Sequence, residues 1–205
     1  MVQRDTRRAL IDAAAEVIAR RGVEAASTRE IYVRAGVKAP TLYHHFGDKQ
    51  GLLDAVVTDA FERYLARKRA LRPTGDPAAD VRQGWDTHVA FARANPALYR
   101  LMWPAGHADL PPAAAESARA LREGFARLAS QGKLRPGVTP RHAARALSAA
   151  LGGVTAAITR DPDDPGNAAL SATVRDAVID ALLAPSAGSA WRAEQTDVDD
   201  QPEEH

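Results

Sequence analysis

Residues 27–49, STREIYVRAGVKAPTLYHHFGDK, carry the signals of two short helices separated by a tight turn. Ser27 and Glu30 form a capping box, the Ser-x-x-Glu pattern that starts a helix. Gly36 interrupts this first helix, and Pro40 lies in the first turn of the second, where its missing N–H does no harm. Two helices of about two turns each, joined by a glycine-containing turn, predict a helix-turn-helix unit.

The second helix of this unit has an apolar side and a polar side. Successive helical residues turn by about 100°, so Leu42 and Phe46 share one side and can pack on Ile31 of the preceding helix. The other side, flanked by His45, carries the residues expected to face solvent: Pro40, Thr41, Tyr43 and His44. A protruding helix with hydroxyl, phenol and imidazole groups suits the major groove of DNA.

The neighbouring histidines His44 and His45 raise the alternative of a metal site or a catalytic site. Adjacent helical residues diverge by about 100°, so these two side chains cannot readily share one ion, and no third ligand is indicated nearby. The chain has no cysteine, no Glu-x-x-His or His-Glu-x-x-His motif, no phosphate loop and no Gly-x-Ser-x-Gly motif. We therefore expect no metal, no cofactor and no catalytic residue.

Composition limits the remaining classes of protein. The 205 residues are 45% apolar, which is ordinary for a folded protein, and no run of 18 apolar residues indicates a membrane span. The N-terminus lacks the pattern of a cleavable signal, so we expect a cytoplasmic protein. The net charge of +1 includes an acidic stretch at 193–205, AEQTDVDDQPEEH, without Lys or Arg. The rest of the chain is therefore more basic, which suits a polyanionic partner.

Helical signals continue along the whole chain. Asp76, Asn95 and Thr139 each precede a proline, the pattern of an N-cap followed by the first helical residue. Breaks are expected at 72–77, 104–112, 131–140 and 160–167, where glycine, proline and polar residues collect. Because alternating strand patterns are absent, the predicted fold is all-α with about nine helices.

The first sixty or so residues resemble the DNA-binding domain of TetR-family transcriptional regulators. The resemblance rests on ALIDAAAEVIARRGVEAAST (9–28), REIYVRAGV (29–37) and PTLYHHFGDKQGLLDAVV (40–57). It implies a three-helix DNA-binding domain at 1–48 and a helical ligand-binding and dimerisation domain at 49–184. Residues 185–205 are expected to be a poorly ordered acidic tail.

The resemblance also implies roles for residues of the helix-turn-helix unit. Those placed against backbone phosphates are Thr28, Tyr43, His45 and Lys49. Those placed against bases are Arg29, Lys38, Ala39, Pro40, Thr41 and His44. Arg29 serves equally well as a solvated helix residue, and Ala39 offers no hydrogen bond to a base. Arg4, Arg7 and Arg8, placed before the first helix, are candidates for phosphate or minor-groove contacts, with a simply solvated N-terminus as the alternative.

A single short recognition helix reads few base pairs, so we expect a homodimer on a palindromic operator with half-sites roughly 34–36 Å apart. The last two long helices are rich in small residues, and the family's dimers pack through the corresponding helices. The apolar residues assigned to that interface are Leu147, Leu151, Val154, Ile158, Val174 and Val178.

Aromatic residues collect between the two halves of the chain, in a region where the family binds small molecules. The assigned ligand-binding residues are Phe61, Tyr64, Trp85, His88, Phe91, Tyr99, Met102, Trp103 and Phe125. For each of them an ordinary core role is the alternative. The resemblance implies a repressor released from DNA when a largely apolar effector binds. Corepression, activation, non-specific architectural DNA binding and, remotely, a helical-bundle enzyme are the alternatives.

Overall fold

The computed structural model describes residues 2–103 and 112–185. Within these residues the chain forms nine helices and no strand, which confirms the all-α prediction; one antiparallel bridge joins Leu134 to Leu183. The helices are α1 (Val2–Ala25), α2 (Thr28–Arg34), α3 (Ala39–Phe46), α4 (Lys49–Arg69), α5 (Pro77–Ala94), α6 (Pro96–Met102), α7 (Pro112–Ser130), α8 (Pro140–Arg160) and α9 (Asn167–Leu182). The predicted break at 104–112 and the acidic tail lie almost entirely outside the described residues.

Side chains cap four helices at the predicted positions, each accepting a hydrogen bond from a backbone N–H in the first turn: Ser27, Asp48, Asp76 and Thr139. Asn95 also holds the predicted N-cap position of α6, directly before Pro96, but its side chain accepts no capping hydrogen bond. Its side-chain nitrogen instead donates to the carbonyl of Phe91 at 3.1 Å, which also accepts the backbone N–H of Asn95. Asn95 therefore ends α5 and begins α6.

The N-terminal core holds α1, α2 and α3 together. Its fully buried side chains include Leu10, Ile18, Ile31 and Leu42, and α4 adds residues from its first two turns: Leu52, Leu53 and Val56. Ala97 of α6 is buried in the same core although it follows α5 in the chain. The packing of α1, α2 and α3 thus depends on side chains of α4 and α6.

The C-terminal core packs α5, α7, α8 and α9 around Trp85 and Phe125. Three residues predicted at the dimer surface, Leu147, Val154 and Ile158, are at most 5% exposed and belong to this core, so that prediction is wrong for them. The apolar stripe of an amphipathic helix packs first on its own chain. Half-buried residues of the predicted set pack against the same core: Leu151, Val174 and Val178.

A third buried group, which we call the aromatic cluster, lies between these two cores. It comprises Phe61 and Tyr64 of α4, His88 and Phe91 of α5, and Tyr99, Met102 and Trp103 at α6. Because α6 places Ala97 in the N-terminal core and Tyr99 in the aromatic cluster, one short helix joins the two regions.

None of the described helices is long and apolar enough to span a membrane.

Candidate functional site

The helix α3 is held by its apolar side, as the sequence predicts. Leu42 is completely buried in the N-terminal core, and Phe46 packs half-buried against it. The turn before α3 contains Gly36 at a φ of 70°, and Gly47 at a φ of 77° follows the helix. Such positive φ values suit glycine, so the sequence fixes both ends of α3.

The opposite side of α3 is open to solvent. Pro40 and His44 are exposed, and Tyr43 keeps 47% of its surface accessible. Lys38 is exposed at the N-cap of the helix, while three further predicted contact residues are half-buried around the rim: Ala39, Thr41 and His45. The outward set therefore forms one continuous polar surface of the kind that enters a DNA groove.

The cations around α3 differ in whether a carboxylate neutralises them. Arg21 pairs with Glu30 at 3.0 Å, and Arg34 pairs with Glu16 at 2.5 Å. Exposed Arg29, like Lys38, has no carboxylate partner among the described residues. Free cations beside the outward face of α3 provide the positive charge that phosphate binding requires.

Of the residues predicted at the phosphates, Tyr43 and His45 lie on α3 itself, whereas Thr28 and Lys49 begin the helices before and after it. Thr28 is half-buried at the first position of α2. Lys49 begins α4, and its Nζ donates to the carbonyl of Val23 at 3.4 Å, which leaves further N–H donors for a phosphate. Arg8 instead belongs to an ion-pair group on α1 and α4.

The N-terminal arginines were placed before the first helix, and this is wrong, because α1 begins at Val2. Arg8 lies 2.6 Å from Asp12 and also pairs with Asp59. The guanidinium of Arg7 lies 5.3 Å from the ring centre of Phe46. The side chain of Arg4 lies outside the described residues. Arg8 is therefore largely neutralised, whereas Arg7 lies against Phe46 of α3.

A metal site is not formed by the described residues. No group of three or more potential ligands comes together in this part of the chain. The rings of His44 and His45 stand edge to face, with their centres 5.5 Å apart. Both imidazoles are therefore available as hydrogen-bond donors or acceptors on the surface of α3.

The junction between α3 and α4 leaves no space for a side chain. A Cβ added to Gly51 would lie 2.0 Å from the carbonyl oxygen of Phe46, the last residue of α3. The backbone N–H of Gly51 is also bound by Asp48 at 2.7 Å. The end of α3 thus packs directly on the first turn of α4.

The aromatic cluster is organised around Trp103. Its indole stacks on Tyr99 with ring centres 4.5 Å apart and meets Phe61 edge to face at 4.8 Å. It also lies near three further rings, those of Tyr64, His88 and Phe91. Trp103 is itself only half-buried, so a group contacting five rings is reachable from the surface.

A hydrogen-bonded chain runs through this cluster. The Tyr64 hydroxyl lies 2.7 Å from His88 Nδ1, and His88 Nε2 lies 2.8 Å from the Tyr99 hydroxyl. That hydroxyl is 3.0 Å from Thr155 Oγ1, which donates to the carbonyl of Leu151 at 2.8 Å. Thr155 donates its one hydroxyl proton to the carbonyl of Leu151, so it accepts from the Tyr99 hydroxyl. The Tyr99 oxygen then accepts from His88 Nε2, and His88 Nδ1 accepts from the Tyr64 hydroxyl.

This assignment requires a neutral imidazole at His88. Burial, helped by the nearby charge of Lys68, lowers the pKa of His88 to about 3. Burial raises the pKa of both Tyr64 and Tyr99, so their hydroxyls keep their protons. The cluster is therefore a group of mutually packed, mostly buried rings crossed by an uncharged hydrogen-bonded chain.

The structure separates the predicted ligand-binding residues into two groups. Seven of the nine meet in the aromatic cluster, whereas Trp85 and Phe125 lie in the C-terminal core, where Trp85 Nε1 donates to Ser171 at 3.0 Å. Sequence reasoning missed Thr155 and Lys68. Lys68 follows Tyr64 by four residues, and this spacing on α4 was the available signal.

Comparison with known proteins covers both halves of the chain. Residues 10–56 match the family described as bacterial regulatory proteins, tetR family, and residues 81–182 match the tetracyclin repressor-like C-terminal domain. The transcriptional activator FasR of Mycolicibacterium smegmatis is 36% identical over 115 residues, covering 55% of this chain and 52% of FasR. The class D tetracycline repressor of Escherichia coli is 36% identical over 58 residues, covering 28% of this chain and 27% of the repressor.

The chain thus spans about half the length of FasR and about a quarter of the tetracycline repressor. A solved structure described as the molecular basis for control of antibiotic production by bacterial hormones shares the fold more fully. It has a TM-score of 0.74 at 28% identity and covers 87% of this chain and 98% of its own. With both family domains matched in order along an all-helical fold, this protein belongs to the TetR family of bacterial transcriptional regulators, which are not enzymes.

Proposed function

We propose that this protein is a homodimeric repressor that binds a palindromic operator through α3 and leaves it when a small, largely apolar effector binds the aromatic cluster. The observation that carries the proposal is the exposed face of α3, together with Arg29 and Lys38, which have no carboxylate partner within residues 2–103 and 112–185. Residues 1–48 then form the DNA-binding domain and 49–184 the effector and dimerisation domain. Because bacterial DNA lies in the cytoplasm, we expect the protein to be cytoplasmic.

The contacts divide into phosphate binding and base reading. Lys49, His45, Tyr43 and Thr28 are assigned to phosphates, which fix the position of the protein without reading sequence. Lys38, Ala39, Pro40, Thr41, His44 and Arg29 are assigned to base edges. Arg29 supplies the fork that matches guanine, and the Ala39 methyl suits a thymine methyl group.

Replacing Lys49 by alanine is expected to weaken binding to all DNA sequences about equally. Losing one phosphate contact lowers the slope of log affinity against log salt by about one. Fluorescence anisotropy over a range of salt concentrations measures both effects. Lys133→Ala, which removes an exposed lysine far from α3, is the control and should change neither. An unchanged slope for Lys49→Ala would disprove the phosphate assignment.

Arg29→Ala and Thr41→Ala should instead alter base preference. We expect a loss of about 1–3 kcal/mol of discrimination at one position of each half-site. Selection from a randomised operator library measures the change. If a variant binds all DNA sequences more weakly to the same extent, the replaced residue contacts phosphates rather than bases.

Specific operator binding is tested by selecting genomic fragments of the source organism with purified protein and excess competitor DNA. Recovery of a few sites that share an inverted repeat, bound about 10³-fold or more above random DNA, is expected. Random recovery would favour an architectural DNA-binding protein over a local repressor.

The dimer surface is proposed on the exposed side of α8. Ala149, Gly152, Gly153 and Ala156 lie on this side, at helical spacing and exposed to solvent. A Cβ at either glycine meets nothing within 4 Å in one chain. Since a helix-interior glycine costs about 1 kcal/mol relative to alanine, close approach of a second copy explains both glycines.

Gly152→Arg is therefore expected to dissociate the dimer without unfolding the protomer. The new side chain has room in one chain but not against a partner helix. Sedimentation velocity should show a monomer at concentrations where the wild type is dimeric. Ala66→Arg, at an exposed position of α4, is the matched control and should stay dimeric. A dimeric Gly152→Arg protein would place the interface elsewhere.

The effector step follows from the position of α6. A molecule that displaces Trp103 or Tyr99 moves a helix whose Ala97 is part of the N-terminal core. An effector shifts the equilibrium between the dimer that binds the operator and the dimer that leaves it only if it binds one of them more tightly. In typical regulators this coupling free energy is about 1–3 kcal/mol. Among the relatives, FasR is named an activator and the tetracycline repressor a repressor. Operator binding with and without effector decides the direction here.

A further inference from the structure

Lys68 is the one charged side chain that reaches the aromatic cluster among the described residues. It lies on the same side of α4 as Phe61 and Tyr64, seven and four residues earlier. Its ammonium donates to the carbonyl of Gly84 on α5 and lies 5.6 Å from the ring centre of Tyr64. The two helices approach closely here, since a Cβ built at Gly84 would lie in ordinary contact with Nζ, at 3.6 Å.

This ammonium has no counterion among the described residues. No carboxylate oxygen there lies within 4 Å of it, whereas its neighbour Arg69 pairs with Glu116. An ammonium has three N–H donors, and the protein acceptor that we find takes one of them. Withdrawing a cation from water without an opposite charge is unfavourable. An anion bound beside the Lys68 ammonium would therefore be stabilised by the pairing.

The positive charge of Lys68 affects the titration of His88 in the aromatic cluster. Burial lowers the pKa of Lys68 to about 8, so the ammonium form still prevails at pH 7. Lys68 in turn contributes to the lowered pKa of His88. Since His88 stays neutral, the cluster contains one positive charge rather than two.

We propose that Lys68 is the anion-binding residue of the effector site and that the effector is an amphiphilic monocarboxylic acid. Its carboxylate pairs with the Lys68 ammonium, and its apolar body lies against the rings of Phe61, Tyr64 and Trp103. A single lysine suits one carboxylate, because a phosphate dianion is normally met by several donors or by an arginine fork. The inference rests on the proposed function and deepens it by naming the chemical class of effector.

The test compares acids with uncharged molecules of the same shape. Decanoate is paired with decanol and naphthoate with naphthylmethanol, and binding to full-length, DNA-free protein is followed by calorimetry. Indole emission serves as a second signal, because a body entering the cluster changes the surroundings of Trp103. Wild-type protein is expected to bind at least one acid about tenfold or more tightly than its alcohol.

Lys68→Met should abolish this preference while leaving the alcohol's affinity within about twofold. Lys133→Met is the matched control: it removes the same charge from an exposed lysine and should keep the preference. Circular dichroism checks that each variant is folded.

A pH series on the wild type gives an independent result that needs no variant. The ionised acid binds the ammonium form of Lys68, so its affinity should change little between about pH 6.5 and pH 7.5, where the carboxylate stays ionised, and should fall by up to about tenfold per unit above pH 8. The affinity of the alcohol should not change over this range.

Equal affinity for acid and alcohol in the wild type, an unchanged preference in Lys68→Met, or failure of all four probes to bind would overturn the inference. Operator binding is measured separately, without ligand. Loss of the acid preference with intact operator recognition rejects this inference alone, whereas acid binding without operator recognition rejects the proposed repressor.

Discussion

Replacing Gly51 by alanine is expected to destabilise the protein by about 3 kcal/mol and to lower operator affinity about tenfold or more. The added Cβ would lie 2.0 Å from the carbonyl oxygen of Phe46, and a backbone atom cannot move aside as a flexible side chain can. The first turn of α4 must therefore shift away from the end of α3. Because α3 carries the proposed base contacts, the same shift misplaces them.

Urea unfolding at fixed protein concentration measures the loss of stability, and anisotropy with the selected operator measures the loss of affinity. Gly124→Ala is the matched control, since a Cβ at this helical position lies 3.9 Å from its nearest neighbour, an Arg127 nitrogen. It should leave operator binding intact and stabilise the protein by up to about 1 kcal/mol. Wild-type stability and affinity in Gly51→Ala would mean that α3 and α4 are not packed as described.

Acid should destabilise the protein through His88, by about 2.5 kcal/mol between pH 7.5 and pH 4.5. The unfolded chain takes up a proton at this residue near pH 6.5, whereas burial lowers the pKa in the folded chain to about 3. Between these two values the unfolded state binds more protons, so stability falls as the pH falls. Each unit corresponds to about 1.4 kcal/mol.

His88→Gln should flatten this pH dependence, because an amide can accept from Tyr64 and donate to Tyr99 without titrating. Its stability at pH 7.5 is expected to be lower, since the amide does not reproduce the geometry of the ring. His142→Gln removes an exposed histidine and is the control with an expected wild-type slope. Equal slopes for wild type and His88→Gln between pH 6.5 and pH 4.5 would contradict a neutral, buried His88.

Local signals were sufficient to predict the helix-turn-helix unit. The capping contact of Ser27, the turn at Gly36 and the burial of Leu42 each depend on residues within a few positions of one another. The outward set on α3 follows from the same periodicity once its apolar side is known. Asn95 shows the limit: the sequence predicts its N-cap position, but not that its side chain bonds to the helix before it rather than to the helix after it.

Contacts between distant helices could not be obtained in this way. Helical spacing identifies the stripe that contains Leu147 and Ile158 but does not say whether their own chain or a second copy covers it. Lys68 is another example, since its environment depends on Gly84 of α5 lying opposite. Spacing places Lys68 beside Tyr64 on α4, but whether its charged side chain is buried depends on tertiary packing.

The shared helix α6 limits how this protein can be recombined with its relatives. A hybrid regulator made by cutting at residue 48 would replace Ala97, and with it one wall of the N-terminal core. Leu52 and Leu53 would be replaced as well, so the transferred residues 1–48 would pack against side chains of the other protein on two sides. Engineers who exchange sensing halves among such proteins should therefore graft the matching turn of α6 together with the first turns of α4.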